Sequence, residues 1–374
     1  MGTEQALVAT SATSLRTSRA KDTDAPNASR RHGTLTTALT ERPVSLCAAA
    51  ALRIGYGLLY LVFLLREFPH RDEIWGPGSS WTPALAAQLF DQTGWSSVLT
   101  LSDSPAYFEI CYVAALITCA LFTLGWHSRA VSVLFAVVVA SFHARAIFMT
   151  DGGDNLILLM AIYLCFTACG RRWSLDSRRR RRQASAGGTP TRALPDLWRH
   201  LGSARRLLTT ALHNCGMLVI AAQVCVLYGS AGMYKVQGVS WQNGTALHYV
   251  LNLHLFQPWP ALSHLLDSHQ MLVAVASYLT VLLQVAFPFV LFGRSKYLVL
   301  TMLLGMHMSI AVLMGLPIFS GAMIVADAVF LPDRFYMHLS RVGRNILRRT
   351  ARGRVEASSS AEVSLVPSQA GSAG

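Results

Sequence analysis

The residues of this sequence that could take part in chemistry are the few ionisable side chains in or beside its long apolar runs. His307 lies in the middle of one run, and Lys235 ends another. Titratable groups in such surroundings are costly and are candidates for function, and both residue types can exchange protons with a substrate. Each also has a structural interpretation. Lys235 could be an end-cap that extends its amine toward water, and His307 could be a hydrogen-bonded core residue.

A second group of polar residues joins two apolar runs. His143 and Arg145 lie near the end of one run, and Asp151, Asp154 and Asn155 follow at the turn into the next. An aspartate at this place can cap the following helix and interact favourably with its dipole. The same residues could instead contribute to a functional site, and the sequence leaves both interpretations open.

Two further charged residues, Arg53 and Asp327, lie inside the first and the last apolar runs. Arg53 is nearer the start of its run and Asp327 is nearer the end of its run, so both would lie toward the inner side of the membrane. An ion pair between them would tie the first membrane span to the last. We therefore predict a structural role for both residues. The alternative is that Arg53 extends its side chain toward the nearer membrane surface without a partner.

The histidines of the 234–270 stretch do not favour a metal site. His248 and Asn252 are four residues apart and would share one helical face. His254, His264 and His269 have no regular ligand spacing, and the seven cysteines include no C-x-x-C pair. The sequence therefore predicts neither bound metal nor a disulfide framework.

The composition determines which elements must position these residues. Of 374 residues, 52% are apolar and 14% are charged, whereas a soluble domain has about 25% charged residues. The apolar residues cluster in runs close to the roughly 20 residues that cross a bilayer. Only helices satisfy their own backbone hydrogen bonds there, so we predict an all-α, polytopic membrane bundle. Its eight expected spans are 44–65, 108–126, 130–149, 153–169, 211–233, 271–292, 297–314 and 315–331.

The distribution of basic residues predicts the orientation of this bundle. If the N-terminus is cytoplasmic, 27 of the 32 lysines and arginines lie on the inner side and three lie outside. Both termini are then cytoplasmic. The run Arg178–Arg182 stands beside a span end, where it would anchor the chain near anionic membrane lipid. It lacks the interleaved aromatic residues of a nucleic-acid site, so no nucleic-acid partner is expected.

The chain divides into a membrane domain and polar flanks. The polar composition of residues 1–43 predicts a disordered cytoplasmic N-terminus. Residues 44–332 are predicted to form the transmembrane domain. A basic cytoplasmic linker, 170–210, interrupts this domain and includes a flexible stretch at 183–191. The tail, 333–374, begins as a basic amphipathic helix and then becomes disordered. Two long outer segments, 66–107 and 234–270, carry five of the eight tryptophans and six of the 14 prolines, and any chemistry is expected beneath them.

Four local motifs, in this order and in these spans, resemble the HTTM family of horizontally transferred transmembrane domains. This is the membrane domain shared with vitamin K-dependent γ-carboxylase, and the resemblance covers about 44–332. The motifs are Leu52-Arg53-Ile54-Gly55; Asp151-Gly152-Gly153-Asp154-Asn155-Leu156; Lys235 to Leu247 with Trp241 and Gly244; and His307 with Gly315, Phe319 and Asp327.

The resemblance implies a quinol-dependent site on the outer side. Lys235 would be the base that deprotonates a reduced quinone such as vitamin K hydroquinone. His307, Asp154 and Asn155 would complete the catalytic set. Two departures weigh against glutamate carboxylation: the carboxylase has a histidine where Asn155 stands, and its large C-terminal extracytoplasmic domain has no counterpart here.

Other functions remain open at this point. Another branch of the same family resembles the sporulation-delaying-protein B group, which implies a non-catalytic factor for producing, or resisting, a secreted antimicrobial peptide. A small-solute transporter is a third interpretation, although the two halves show no repeat. Only three of the 32 basic residues are lysine, which is typical of a GC-rich bacterial genome, so we expect a multi-pass protein of a bacterial plasma membrane.

Overall fold

The computed structural model describes residues 40–186, 196–291 and 293–345, and within these ranges all regular secondary structure is helical, without a strand. Six helices are long and apolar enough to cross a membrane. They are α1 (Leu46–Arg66), α4 (Pro105–Leu124), α5 (Ser128–Arg145), α8 (Asp196–Gln237, apolar from Leu201), α12 (Gln270–Val290) and α13 (Lys296–Leu313).

Eight shorter α-helices have both of their ends within the described residues. Two are apolar: α6 (Gly152–Phe166) and α14 (Pro317–Asp327). The others are α2 (Arg71–Trp75), α3 (Pro83–Thr93), α7 (Leu175–Ser185), α9 (Val239–Gln242), α10 (Ala246–Leu251) and α11 (Pro260–Asp267). Residues 333–345 are helical as well.

These helices confirm the predicted all-α, multi-pass membrane bundle. Six expected spans coincide with the six long helices, and the other two, 153–169 and 315–331, coincide with α6 and α14. At 1.5 Å per residue, the 15 residues of α6 extend roughly 22 Å, less than the roughly 30 Å of a hydrocarbon core. The short α14 packs against α1, α6 and α13, so longer helices surround it.

The expected linker is far more helical than its polar composition indicated. Its beginning forms α7, and residues 196–210 are the first turns of α8, which runs for 42 residues without a break. This stretch contains no proline and is rich in leucine and arginine, which favour helix. The remaining linker residues, 187–195, lie outside the described residues, as do residues 1–39 and 346–374 of the polar flanks.

The bundle has two chemically different ends. The end that carries 167–186 and 331–345, with their many arginines, is called the basic end here, and the end that carries 67–104 and 238–269 is called the opposite end. At the basic end the Asp176 carboxylate accepts hydrogen bonds from the backbone amides of His127 and Ser128 at the start of α5. Partial burial raises the pKa of Asp176, but these hydrogen bonds more than offset it, so the pKa lies below its usual value.

Arg53 connects three segments at the basic end. It is fully buried, and its guanidinium donates hydrogen bonds to the carbonyl oxygens of Phe122 and Thr123 at the end of α4, at 2.7 and 2.6 Å. A third bond, of 2.7 Å, reaches the carbonyl oxygen of Trp173. Carbonyl groups in the last turn of a helix lack amide partners within it. Arg53 supplies such a donor to Thr123 and adds a second donor to Phe122, whose carbonyl oxygen also accepts from the Gly125 amide at 3.1 Å.

The predicted Arg53–Asp327 ion pair is wrong. Arg53 is directed to backbone carbonyls, whereas the Asp327 carboxylate accepts its hydrogen bond from the hydroxyl of Tyr228. Both residues are buried, as their sequence positions predicted. The error arose because equal depth in two helices does not fix which faces the helices turn toward each other.

The orientation of the bundle can be tested by cysteine accessibility. In a variant without the seven native cysteines, Gln92→Cys and Asn243→Cys at the opposite end should react with a membrane-impermeant reagent in intact cells. Ser185→Cys at the basic end should react only after lysis. All three positions are exposed. Labelling of position 185 from outside would reverse the orientation that the charges predict.

The separation of Arg53 from Asp327 predicts additive effects. Arg53→Leu should lower the free energy of unfolding by about 3 kcal/mol, because the carbonyl oxygens of Phe122, Thr123 and Trp173 lose their hydrogen bonds from the guanidinium group. Thermal unfolding in detergent should show that Asp327→Leu adds its own loss in the double variant, within about 0.5 kcal/mol. A double variant markedly more stable than this sum would restore the ion pair.

Candidate functional site

Three helices bring buried polar side chains together at Tyr228. The Tyr228 hydroxyl on α8 lies 2.9 Å from His307 Nε2 on α13 and 3.0 Å from Asp327 Oδ2 on α14. All three residues are buried. We call this group the Tyr228 cluster. A titratable cluster of this kind is expensive to place among apolar helices and is therefore a candidate for function.

The hydrogen count of the Tyr228 cluster allows two arrangements. When Asp327 is ionised, Tyr228 donates to it and His307 Nε2–H donates to Tyr228. When Asp327 is protonated, it donates to Tyr228, which donates to Nε2, and the imidazole hydrogen moves to Nδ1. The second arrangement has one more proton than the first. His307 Nδ1 and Asp327 Oδ1 have no hydrogen-bond partner. The cluster can therefore take up a proton at His307 Nδ1 and hold the added proton on the Asp327 carboxyl group.

Lys235 lies on the same face of α8 as Tyr228. The two residues are seven positions apart, close to two helical turns, which places them roughly 10 Å apart along the axis. The Lys235 side chain is half-buried, with Nζ 3.5 Å from the carbonyl oxygen of Ala231 and 5.3 Å from the centre of the Trp241 ring. No described carboxylate pairs with its amine.

Small residues between Tyr228 and Lys235 let α12 approach α8. A Cβ atom added to Gly232 would lie 2.9 Å from the backbone nitrogen of Val285, too close for any side chain. The neighbouring Gly229, Ser230 and Ala231 are small as well, and a run of small residues favours such a close approach. Beside this contact, Gln284 is buried and its Oε1 atom has no hydrogen-bond partner. Unpaired polar atoms therefore occur both in the Tyr228 cluster and between it and Lys235.

Asp154 and Asn155 take part in a helix cap, as one of the two interpretations predicted. The Asp151 carboxylate accepts hydrogen bonds from the amides of Gly153 and Asp154, and the Asp154 carboxylate accepts one from the Asp151 amide. The Asn155 side chain donates to the Asp151 carbonyl oxygen at 3.0 Å. These bonds satisfy the free donors at the start of α6.

Asp154 also lines a cavity of about 220 Å³ at the opposite end. His143 lines the same cavity, is buried, and has no hydrogen-bond partner at Nδ1. The remaining lining is mainly apolar, from α1, α2 and α5, with Arg66, Glu67 and Thr150 as polar additions. The polar turn between α5 and α6 thus combines capping with one wall of a cavity.

Phe319 separates this turn from the Tyr228 cluster. A Cβ atom added to Gly153 would lie 2.8 Å from the Phe319 Cα atom, so the start of α6 contacts α14 directly. The Phe319 ring is 6.1 Å from the His307 ring, centre to centre. The cap and the cluster therefore lie on two sides of one aromatic residue.

Arg145 is fully buried at the opposite end and donates one hydrogen bond, of 3.1 Å, to the carbonyl oxygen of Gly76. Its Nε and Nη1 atoms have no partner among the described residues. The hydrogen bond holds the segment that follows α2 against the end of α5. Arg145 thus positions the end of α2, whose Ile74 and Trp75 line the cavity.

The second segment at the opposite end, 238–269, packs on α12 and on the turn before α14. Gly244 and Gly315 both have positive φ, of 72° and 67°, which other residues rarely adopt. A Cβ atom added to Gly315 would lie 3.1 Å from Pro258 Cγ, so the segment also packs on the turn before α14. Within this segment, α10 is followed by a single 3₁₀ turn, His254–Phe256.

Hydrogen bonds between polar side chains join α10 to α11 in this segment. Asp267 accepts hydrogen bonds from the Asn252 side chain at 2.9 Å and contacts His248 Nδ1 at 2.6 Å. The bond from Asn252, followed by that from His248, lowers the pKa of Asp267 below its usual value. His248 and Asn252 thus share a helical face, as predicted, and they are used in a contact between α10 and α11. Among the described residues no three potential metal ligands converge.

The four predicted catalytic residues occupy three places and not one. Asp154 and Asn155 form the cap, His307 belongs to the Tyr228 cluster, and Lys235 lies near Trp241. The sequence analysis missed Tyr228. Its position seven residues before Lys235 could have indicated it, because that spacing returns to the same helical face.

Comparison with protein-family models, with curated proteins and with solved structures finds no match to this chain. The likeness to the HTTM family therefore depends on the four sequence motifs alone.

The Tyr228 cluster predicts that Tyr228→Phe is more harmful than an equivalent change nearby. It removes the hydroxyl that serves both His307 and Asp327 and should lower the free energy of unfolding by about 2 kcal/mol. Tyr56→Phe is the matched control, since the Tyr56 hydroxyl donates only to the Ala322 carbonyl oxygen, at 3.0 Å.

Thermal unfolding of both variants in the same detergent measures the difference. A cycle with Asp327→Asn should also give a coupling energy of about 1 kcal/mol between Tyr228 and Asp327. Equal losses for the two phenylalanine variants, with no coupling, would mean that the Tyr228 hydroxyl does not hold the cluster.

Proposed function

We propose that this chain is an HTTM-type membrane protein in which Lys235 acts as a base on a quinol-type lipid at the opposite end of the bundle. The observation that carries the proposal is the half-buried Lys235 amine, which has no described carboxylate partner and lies on the helical face that leads to Tyr228. A lysine held only as a surface anchor gains nothing from such an environment.

The proton-transfer step is simple. The neutral amine of Lys235 takes a proton from a hydroquinone hydroxyl group, which gives an ammonium ion and the hydroquinone monoanion. The Trp241 ring, 5.3 Å from Nζ, then stabilises the new positive charge through its π face. A free lysine is almost fully protonated at neutral pH, so the partly apolar surroundings are needed to keep a useful fraction of the base neutral.

The membrane supplies this substrate class directly. The segment beside Lys235 presents apolar side chains outward: Tyr234 and Leu255 are 80% and 81% exposed, and Leu253 is also exposed. Such residues suit contact with lipid. A quinol that moves laterally in the bilayer could thus reach Lys235 without crossing water.

The family resemblance supplies the subsequent chemistry. The hydroquinone anion reacts with dioxygen, so that hydroquinone and dioxygen together become the quinone epoxide and water. In the carboxylase, the strong base formed on the way removes a γ-proton from a peptide glutamate, to which CO2 adds. For this chain we propose the oxidation of the quinol and not the carboxylation of glutamate. The Tyr228 cluster, with its free His307 Nδ1, would accept or return protons during that step.

The test compares two lysines. Lys296→Arg is the matched control for Lys235→Arg, because Lys296 Nζ also lies 5.3 Å from an aromatic ring, that of Tyr297, but at the basic end. Purified protein in liposomes receives reduced vitamin K and oxygen, and epoxide formation is measured. Lys235→Arg should lower the rate about 10²–10⁴-fold, as loss of a general base does, while Lys296→Arg should not.

Two results would contradict the proposal. A fully active Lys235→Arg variant would make Lys235 a membrane anchor. No epoxide from the unchanged protein, together with loss of a cellular peptide-resistance or peptide-production phenotype in Lys235→Arg, would favour the non-catalytic peptide factor instead.

A further inference from the structure

A cleft of about 710 Å³ opens at the basic end, far from the Tyr228 cluster. Its walls are the start of α5, the turn at 167–171, one face of α7 and the 202–209 part of α8. Six arginines line it: Arg129, Arg171, Arg179, Arg180, Arg205 and Arg206. We call it the arginine cleft.

The positive charge of the arginine cleft is not balanced by the described residues. Asp176 is the only carboxylate among its described lining residues, and it is engaged by the start of α5. The described arginines of the cleft form no ion pair, although Arg129 and Arg180 donate to uncharged oxygens of Thr209 and Gly170.

The surroundings of Arg171 show that the arginines of the cleft repel one another. Burial lowers the pKa of Arg171, and the neighbouring Arg129 and Arg180 lower it further. Like charges held this close raise the free energy of the folded protein. An anion bound between them would remove that penalty.

The chemistry of the cleft indicates which anion. A guanidinium group presents a planar fork of donors that matches the oxygens of a phosphate group. The cleft also lies where spans α5, α6 and α8 end, at the depth of lipid headgroups. On α5, Val133 and Val137 are exposed one and two turns beyond Arg129, and they continue its face toward the bilayer centre.

We propose that the arginine cleft binds the phosphate headgroup of an anionic phospholipid whose acyl chains lie along this exposed face of α5. A soluble phosphate compound shares the headgroup chemistry but would gain nothing from the apolar stripe. Lipid binding at this site does not require any chemistry at Lys235.

The other face of α7 provides a matched control. Arg178 and Arg181 point into a second cleft, of about 540 Å³, together with Arg344 from the C-terminal helix. The variant Arg178→Gln/Arg181→Gln/Arg344→Gln removes three positive charges from the same end of the bundle. It leaves the arginine cleft unchanged.

The experiment uses the full chain in an uncharged detergent, with native mass spectrometry for bound lipid and thermal unfolding for its effect. Phosphatidylglycerol should remain bound and raise the melting temperature, whereas phosphatidylcholine should do neither. In Arg171→Gln/Arg205→Gln/Arg206→Gln the affinity for phosphatidylglycerol should fall at least tenfold, and in the control variant less than about twofold. Gel filtration and unfolding without lipid verify that both variants are folded.

Three outcomes would overturn the proposal. Equal loss in the two triple variants would mean that net charge, and not the cleft, attracts the lipid. Equal binding of phosphatidylcholine would remove the need for an anion. Protection by glycerol 1-phosphate as strong as that by phosphatidylglycerol would assign the cleft to a free phosphate compound.

Discussion

The hydroxyl group of Tyr228 is the contact on which the interior of this bundle depends. It joins α8, α13 and α14 through His307 and Asp327, and α14 is the short helix that also packs on α1 and α6. Apolar contacts between helices lose their solvent-derived driving force in lipid, so close packing and such hydrogen bonds decide how the helices associate. The same hydroxyl lies between His307 and Asp327. It therefore holds the three helices together and also offers a path for proton transfer between these two side chains.

The two ends of the bundle solve the problem of buried charge in different ways. At the basic end, Arg53 is supplied with three carbonyl acceptors, two of them from the end of α4. At the opposite end, Arg145 has one acceptor and two unpartnered nitrogen atoms, and His143 has an unpartnered ring nitrogen. Of the Arg53 nitrogen atoms only Nε lacks a partner, as suits a structural group, whereas the larger number of unpaired buried atoms at the opposite end indicates a place for water or a ligand. The cavity at the opposite end fits that distinction.

The sequence predicted the membrane architecture well because hydropathy and helix length follow directly from the bilayer. It predicted the depth and burial of Arg53 and Asp327, but not their partners, since those depend on how each helix is rotated. The Asp151 cap was predictable because capping is local. The Tyr228 cluster joins residues up to 99 positions apart, and no local pattern indicates such a contact. The helical start of α8 was missed because polar composition resembles that of a flexible linker.

Helix α8 physically connects the two sites. Arg206 in the arginine cleft and Tyr228 in the cluster are 22 residues apart, roughly 33 Å along a continuous helix, which is about one hydrocarbon thickness. No proline interrupts the helix between them, so this cause of a sharp kink is absent. Fixing its basic end on a lipid headgroup would therefore also fix the depth at which Tyr228 and Lys235 lie in the membrane. If both proposals hold, the position of that anchor would determine whether the amine of Lys235 lies at the depth of a quinol hydroxyl group.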